Sequence, residues 1–212
     1  PVEEPTIPVM QKGRDLIRCA QTGTGKTAAY ALPLFDKLLR EGNPDNVVKS
    51  LIVVPTRELA QQIDVQFQGF AYFLPLSTTV VYGGGDGIGW SQQKQGMLMG
   101  ADIVVATPGR LLAHITNSGI DLSHVGYFVL DEADRMLDMG FQDDIMRIIA
   151  QLPAQRQTIM FSATLPPKIR ELARKIMHAP EEVSIAVSKP NEAIEQSAYV
   201  CYENQKTGIV RE

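Results

Sequence analysis

Seven short apolar runs punctuate this chain, at residues 15–19, 50–54, 78–82, 103–106, 127–130, 158–161 and 183–186. Most lack the strict apolar/polar alternation of a strand with one wet face, so both of their faces need cover. A parallel sheet sandwiched by crossover helices meets that need. Helical spacing over residues 26–40, 57–70, 111–116, 142–152 and 167–177 supplies the crossovers. The expected fold is α/β: a parallel sheet of about seven strands with helices on both faces, in three layers. Residues 1–188 read as one domain, and residues 189–212, opening on Lys189-Pro190-Asn191, as an exit segment.

Right-handed crossovers put the loops that follow the strands along one edge, where such sheets bind ligands. Five polar clusters fall there: residues 20–27, 55–60, 107–110, 131–134 and 162–164. Their convergence defines a candidate site before any one of them is interpreted.

Composition narrows the setting. At 212 residues, 44% apolar and 21% charged, the chain can bury a large core without disulfides or metals. No stretch approaches the roughly 20 apolar residues that span a bilayer. Residues 1–8 are acidic and interrupted by proline, unlike a signal peptide. Cys19 and Cys201 are far apart and lack metal-ligand spacing. Cys19, in an apolar run, is expected as a buried reduced thiol, and a reducing cytoplasm is the expected compartment. A net charge of −4 and a pI near 5.5 argue against histone-like binding through basic arms. A local groove for nucleic acid remains compatible with that balance.

Ala20-Gln21-Thr22-Gly23-Thr24-Gly25-Lys26-Thr27 follows an apolar run and opens a helix, the context in which a glycine-rich phosphate loop works. Glycines let backbone amides approach phosphate oxygens, and the helix amino terminus adds partial positive charge. Lys26 would reach the β- and γ-phosphates, while the Thr27 hydroxyl would bind Mg2+. Ala20 stands where the usual pattern has its first glycine. Downstream, Asp131-Glu132-Ala133-Asp134 ends the run Tyr127-Phe128-Val129-Leu130. Asp131 would hold the magnesium, and Glu132 would orient and deprotonate the attacking water. The competing reading is an acidic helix start that complements the helix dipole, with Asp134 as a cap.

Together these segments resemble the first RecA-like domain of a DEAD-box ATP-dependent RNA helicase. Motif I matches residues 20–27, and motif Ia matches Pro55-Thr56-Arg57-Glu58-Leu59-Ala60. The GG motif matches Gly83-Gly84, motif Ib Thr107-Pro108-Gly109-Arg110, motif II residues 131–134, and motif III Ser162-Ala163-Thr164. The resemblance spans essentially the whole chain and implies a RecA-like P-loop NTPase sheet. It also implies ATP as substrate, Mg2+ as cofactor, and hydrolysis coupled to local opening of RNA duplexes. Pro55, Thr56, Arg57, Gly84, Thr107, Pro108, Gly109 and Arg110 would lie along the RNA sugar-phosphate backbone. Amides, hydroxyls and guanidiniums position phosphates there without reading sequence. Ser162 and Thr164 would hydrogen-bond Asp134 and couple nucleotide state to RNA state.

Two departures qualify that resemblance. The adenine-reading glutamine aligns with Glu3, and an ionised carboxylate can only accept where an amide both donates and accepts. The aromatic residue expected before it falls ahead of Pro1. Weaker adenine preference and weaker nucleotide affinity are therefore expected. The chain also stops near where a second RecA-like domain, with its arginines, is expected to begin. An arginine finger is worth about 10³–10⁵ in rate in comparable systems, so nucleotide binding with poor turnover is expected of these residues alone. Two other readings stay open: a related DNA helicase, and a non-catalytic RNA clamp or partner-binding module. No membrane contact is indicated, and the sequence leaves possible protein cofactors unknown.

Overall fold

A computed structural model describes residues 3–19, 25–84, 87–184, 200–202 and 205. In it the strands are β1 (Leu16–Cys19), β2 (Ser50–Val53), β3 (Thr78–Val81), β4 (Ile103–Ala106), β5 (Tyr127–Leu130), β6 (Gln157–Ser162) and β7 (Glu181–Ser184). The described helices are α1 (Glu3–Gln11), α2 (Lys26–Glu41), α3 (Arg57–Phe70), α4 (Gly87–Leu98), α5 (Pro108–Ser118), α6 (Ala133–Asp138), α7 (Gln142–Ile149) and α8 (Pro167–Ile176). All seven strands join one sheet in the order β3-β4-β2-β5-β6-β1-β7, and every pairing is parallel.

The missing alternation in the strands has a direct cause. Successive side chains point to opposite faces of a strand, and here both faces are dry. Ile17, Leu51, Val53, Val104, Ala106, Phe128, Leu130 and Met160 enter a core shared with α5, α6, α7 and α8. Leu16, Ile52, Ile103, Val105, Val129, Ile159 and Phe161 enter the opposite core, beneath α1, α2 and α3. Each buried aliphatic or aromatic side chain of this kind contributes about 1.5–3 kcal/mol relative to exposure. The three expected layers are present.

Several bounds differ from the sequence reading. β7 begins at Glu181, two residues before the expected run. The amide of Glu181 donates to the carbonyl of Asp15 at 2.9 Å, extending the parallel ladder to β1 at its start. β6 extends from Gln157 to Ser162, because Gln157 is buried and its side-chain amide donates to the carbonyls of Met10 and Arg14. Two helices were not foreseen, and a third entered the sequence reading only as a competing acidic helix start. Helix α1 carries Pro8 within it, and Val9 and Met10 anchor it against α2. Helix α4 has glycines at 87, 89 and 96 and buries only Met97 among its side chains. A Cβ at Gly96 would fall 2.3 Å from Thr79 Oγ1, so the bare glycine lets α4 lie tightly on β3. Helix α6 is six residues long and begins inside the acidic cluster at Ala133, with Glu132, not Asp134, at its cap position.

Cys19 is half-buried at the end of β1, where its thiol donates to the carbonyl of Ala163 at 3.3 Å. It is therefore not the enclosed thiol the sequence suggested. The loop at 20–24 and, of the exit segment at 189–212, all but residues 200–202 and 205 lie outside the described residues.

Candidate nucleotide and nucleic-acid site

The strand order sorts the polar clusters into two neighbourhoods along the carboxyl edge. β5, β6 and β1 lie side by side, and they lead into Asp131, the 162–164 segment and Lys26-Thr27. β3, β4 and β2 form the adjoining half, leading into Gly83-Gly84, Thr107-Pro108-Gly109-Arg110 and Pro55-Thr56-Arg57. Sequence neighbours are thus separated and distant segments brought together.

In the first half, Gly25 takes the left-handed conformation (φ 79°) that opens α2. Lys26, one residue later, is buried, as are Asp131 and Glu132. Asp131 is 3% exposed, and one of its oxygens accepts from the Glu132 amide at 2.9 Å. Burial pushes its carboxyl up to about 6. Repulsion from Glu132 adds to that, while Lys26, the Glu132 amide and Tyr30 act in the opposite sense. The Tyr30 hydroxyl, fully buried on α2, stands against both Thr27 and Asp131 and is itself pushed well up by burial and the Asp131 charge. Its oxygen makes no hydrogen bond of regular geometry, although it stands close enough to favour the ionised Asp131 carboxylate.

Glu132 adopts φ 55°, ψ 49°, a left-handed conformation that costs a non-glycine residue about 1–3 kcal/mol. The strained peptide turns its carboxylate toward Arg135, whose Nη1 lies 3.2 Å from Oε2. Arg135 was not singled out in the sequence, and only its place three residues beyond Glu132 could have signalled the contact. Asp134 Oδ1 accepts from the Arg135 amide, while Oδ2 accepts from both the amide and the hydroxyl of Thr164, at 3.0 and 2.9 Å. Ser162 does not reach Asp134 directly. Its buried hydroxyl donates to the Thr164 carbonyl at 2.6 Å, bracing the turn that presents Thr164. The expected pair of contacts to Asp134 is therefore one contact plus a brace.

In the second half, Thr56 caps α3, its oxygen accepting from the Leu59 amide at 3.3 Å. Thr107 precedes α5 without such a bond, and Pro108 fills the first helical position, where no amide hydrogen is needed. Gly84 takes φ +88°, and a Cβ there would come within 3.3 Å of an Arg57 guanidinium nitrogen. Arg57 is exposed and Arg110 half-buried. Gly109 is exposed, while Pro55 and Pro108 are buried beneath the edge. Ala20, Gln21, Thr22, Gly23 and Thr24 lie outside the described residues. Glu3 stands in the first turn of α1, with its side chain outside the description.

The chain matches the family described as DEAD/DEAH box helicase over residues 1–172, and it belongs to that family. It is 43% identical over 211 residues to the ATP-dependent RNA helicase CshA of Listeria monocytogenes, covering 99% of this chain and 39% of that protein. Identity is 44% over 184 residues with the ATP-dependent RNA helicase DeaD of Mycobacterium tuberculosis, covering 86% and 32%. A crystal structure titled as a hypothetical ATP-dependent RNA helicase from Sulfolobus tokodaii superposes with a TM-score of 0.77 at 39% identity, over 87% of this chain and 52% of that one. The chain thus spans 32–39% of the length of these two curated relatives.

Proposed function

We propose that this chain is the ATP-binding half of an RNA-dependent ATPase that couples nucleotide binding and hydrolysis to local unwinding of RNA. The observation that carries the reading is the buried triad of Lys26, Asp131 and Glu132 at the carboxyl edge, beside a second half rich in amides and guanidiniums. A structural acidic helix start would not need Glu132 in a strained left-handed conformation.

The residues suit magnesium. Asp131 is a buried carboxylate held up at about 6 chiefly by lost hydration, which a hard cation would replace. Among the described residues no cluster of three or more His, Cys, Asp or Glu could form an all-protein cage. That suits an ion shared between Asp131, the Thr27 hydroxyl and phosphate oxygens. When bound, it would neutralise charge on the phosphates. Lys26 would orient the terminal phosphates, Glu132 would hold and deprotonate the attacking water, and Arg135 would keep that carboxylate in place. The loop at 20–24 would wrap the phosphates with its amides. Thr164, bound to Asp134, would transmit the state of this site toward RNA carried on Pro55, Thr56, Arg57, Gly84, Thr107, Pro108, Gly109 and Arg110.

A second RecA-like domain following residues 189–212 would supply the remaining arginines. The proposed setting is cytoplasmic; among the described residues no helix is long and apolar enough to cross a membrane. Glu3 would weaken selection for adenine, so ATP and GTP should bind with similar affinity and Glu3→Gln should restore preference for ATP. Strong selection of ATP with Glu3 in place would remove that part of the reading. The function itself is tested by the ATPase rate with and without single- and double-stranded RNA, on this chain and on the chain joined to the second domain. Slow turnover by the chain alone and RNA-stimulated turnover by the joined form are expected. Stimulation by DNA to the same degree would favour a DNA-directed enzyme instead.

A further inference from the structure

The two arginines of the β3-β4-β2 half are backed by aromatic rings. The Arg57 guanidinium lies over the Tyr82 ring, 5.6 Å from its centroid, and that of Arg110 lies over the Trp90 ring at 5.2 Å. Trp90 in turn stacks on His114, with centroids 3.7 Å apart and planes 18° from parallel. His114 is fully buried on α5, and its Nε2 sits 3.2 Å from Gln93 Oε1 on α4. An amide oxygen only accepts, so Nε2 carries the hydrogen, and Nδ1 is left as a buried lone pair without a partner. Burial, together with the charges of Arg110 and Lys94, pushes the imidazole down to about 4, so Trp90 stacks on a neutral ring at physiological pH.

The two arginine supports are also connected, through Gln93 and the Tyr82 main chain. Gln93 Nε2 donates to the Tyr82 carbonyl at 3.1 Å, and Gln61 Nε2 donates to the Tyr82 hydroxyl at 3.0 Å. Tyr82, Gln93, His114 and Trp90 therefore form one connected support beneath both guanidiniums. Gly83 and Gly84 lie beside it, and a Cβ at Gly84 would press within 3.3 Å of the Arg57 guanidinium.

We propose that Tyr82 and Trp90 are positioning residues for RNA binding, whose ring faces hold Arg57 and Arg110 ready for backbone phosphates, with His114 backing Trp90 and Gln93 bridging His114 to the Tyr82 main chain. The proposal rests on reading this edge as the RNA-backbone surface. An arginine side chain has wide rotamer freedom, which a phosphate contact must otherwise remove. A ring face restrains the guanidinium through its plane and leaves its N–H edge free for bidentate contact. The device is indifferent to base identity, as a backbone surface requires.

Trp90 is the only tryptophan of the chain, so its emission reports on this support directly. Single-stranded oligouridylate is titrated into the chain across a salt series, with tryptophan emission and anisotropy of labelled RNA as readouts. Arg110→Ala is expected to change Trp90 emission without RNA, to weaken binding, and to reduce the salt slope by about 0.7, the value for one single-strand phosphate contact. Trp90→Leu is expected to weaken binding about two- to fivefold, the range of an exposed cation–π contact, and to move the salt slope toward that of Arg110→Ala. Trp90→Phe restores most of the loss, and Trp90→Leu added to Arg110→Ala costs nothing further. Tyr82→Leu and Arg57→Ala should behave as a second such pair.

Wild-type affinity and slope in Trp90→Leu would overturn the proposal while leaving the RNA reading intact. So would a loss of equal size in the Arg110→Ala background. Should Trp90→Leu not fold, unchanged emission on Arg110→Ala in the otherwise native chain overturns it. If the wild-type chain does not bind the RNA, or if Arg57→Ala and Arg110→Ala both bind it as tightly as wild type does, the RNA reading fails and the proposal goes with it.

Discussion

The two halves of the carboxyl edge solve opposite problems with the same strands. Along β5, β6 and β1 the functional groups are buried: Lys26, Asp131 and Glu132 are each less than a tenth exposed, and one carboxyl is held up at about 6. Along β3, β4 and β2 the groups reach outward, and their order comes from aromatic faces, glycine turns and helix starts. Burial suits chemistry on a small polyanion, where low dielectric strengthens every charge and water must be rationed. Exposure suits a long polyanion that has to slide in and leave. The Asp134–Thr164 contact sits on the nucleotide side and ties the acidic cluster to the turn that ends β6.

The largest expected effect is on chemistry in the buried half. Glu132→Gln should lower RNA-stimulated turnover by about 10²–10⁴, the usual contribution of a general base, while nucleotide affinity measured by fluorescent-analogue binding holds. Unchanged turnover would remove Glu132 from the mechanism. A stability gain should accompany loss of function at the same position: Glu132→Gly relieves the left-handed strain and should stabilise the ligand-free chain by about 1 kcal/mol. A drop in Tm would show that the Arg135 pair outweighs the strain.

Asp131 makes the pH prediction. Its folded carboxyl titrates above the unfolded value of 3.8, so the folded state binds the extra proton between pH 4 and 6. Its contribution to stability is fully present below about pH 4 and is lost as pH rises through 6. The loss amounts to about 3 kcal/mol at neutral pH. Asp131→Asn should therefore raise Tm more at pH 8 than at pH 4.5, and a difference independent of pH would contradict the assignment. For the same reason magnesium-dependent nucleotide affinity should weaken as pH falls below about 6, because the proton and the cation compete for one carboxylate. A flat profile from pH 7 to 5 would remove Asp131 from the cation site.

The smallest effect belongs to the exposed half. Gly84→Ala places a Cβ at φ +88° and against Arg57, so a loss of about 1 kcal/mol in stability and a few-fold weaker RNA binding are expected. RNA binding unchanged in a folded Gly84→Ala would free Arg57 from this turn.

What the sequence conveyed divides along the same line. The strands were legible because both of their faces are buried, and the polar clusters because each follows a strand. Helix α1 escaped because Pro8 reads as a breaker, yet the packing of Val9 and Met10 outweighs it. Helix α4 escaped because its glycines lower helix propensity and only Met97 is buried, so no apolar stripe announces it. With α4 unseen, Trp90 and Gln93 had no place in the site, and neither did their tie to Tyr82 and His114. The contacts of Arg135 and the indirect role of Ser162 depend on the turn at Glu132 and the turn at Ala163. Neither backbone conformation has a periodic signature.

If one edge carries two separable sites, each can be disabled alone, and a crossed comparison in this chain joined to the second domain proposed for it shows whether that is so. RNA affinity and nucleotide affinity are measured together in Glu132→Gln and in the Arg57→Ala, Arg110→Ala double variant. The account predicts that the first variant loses turnover and keeps its affinity for both ligands. The second should lose RNA affinity and RNA stimulation while keeping its affinity for nucleotide. Loss of nucleotide affinity in the arginine variant, with RNA binding intact, would contradict the division of the edge.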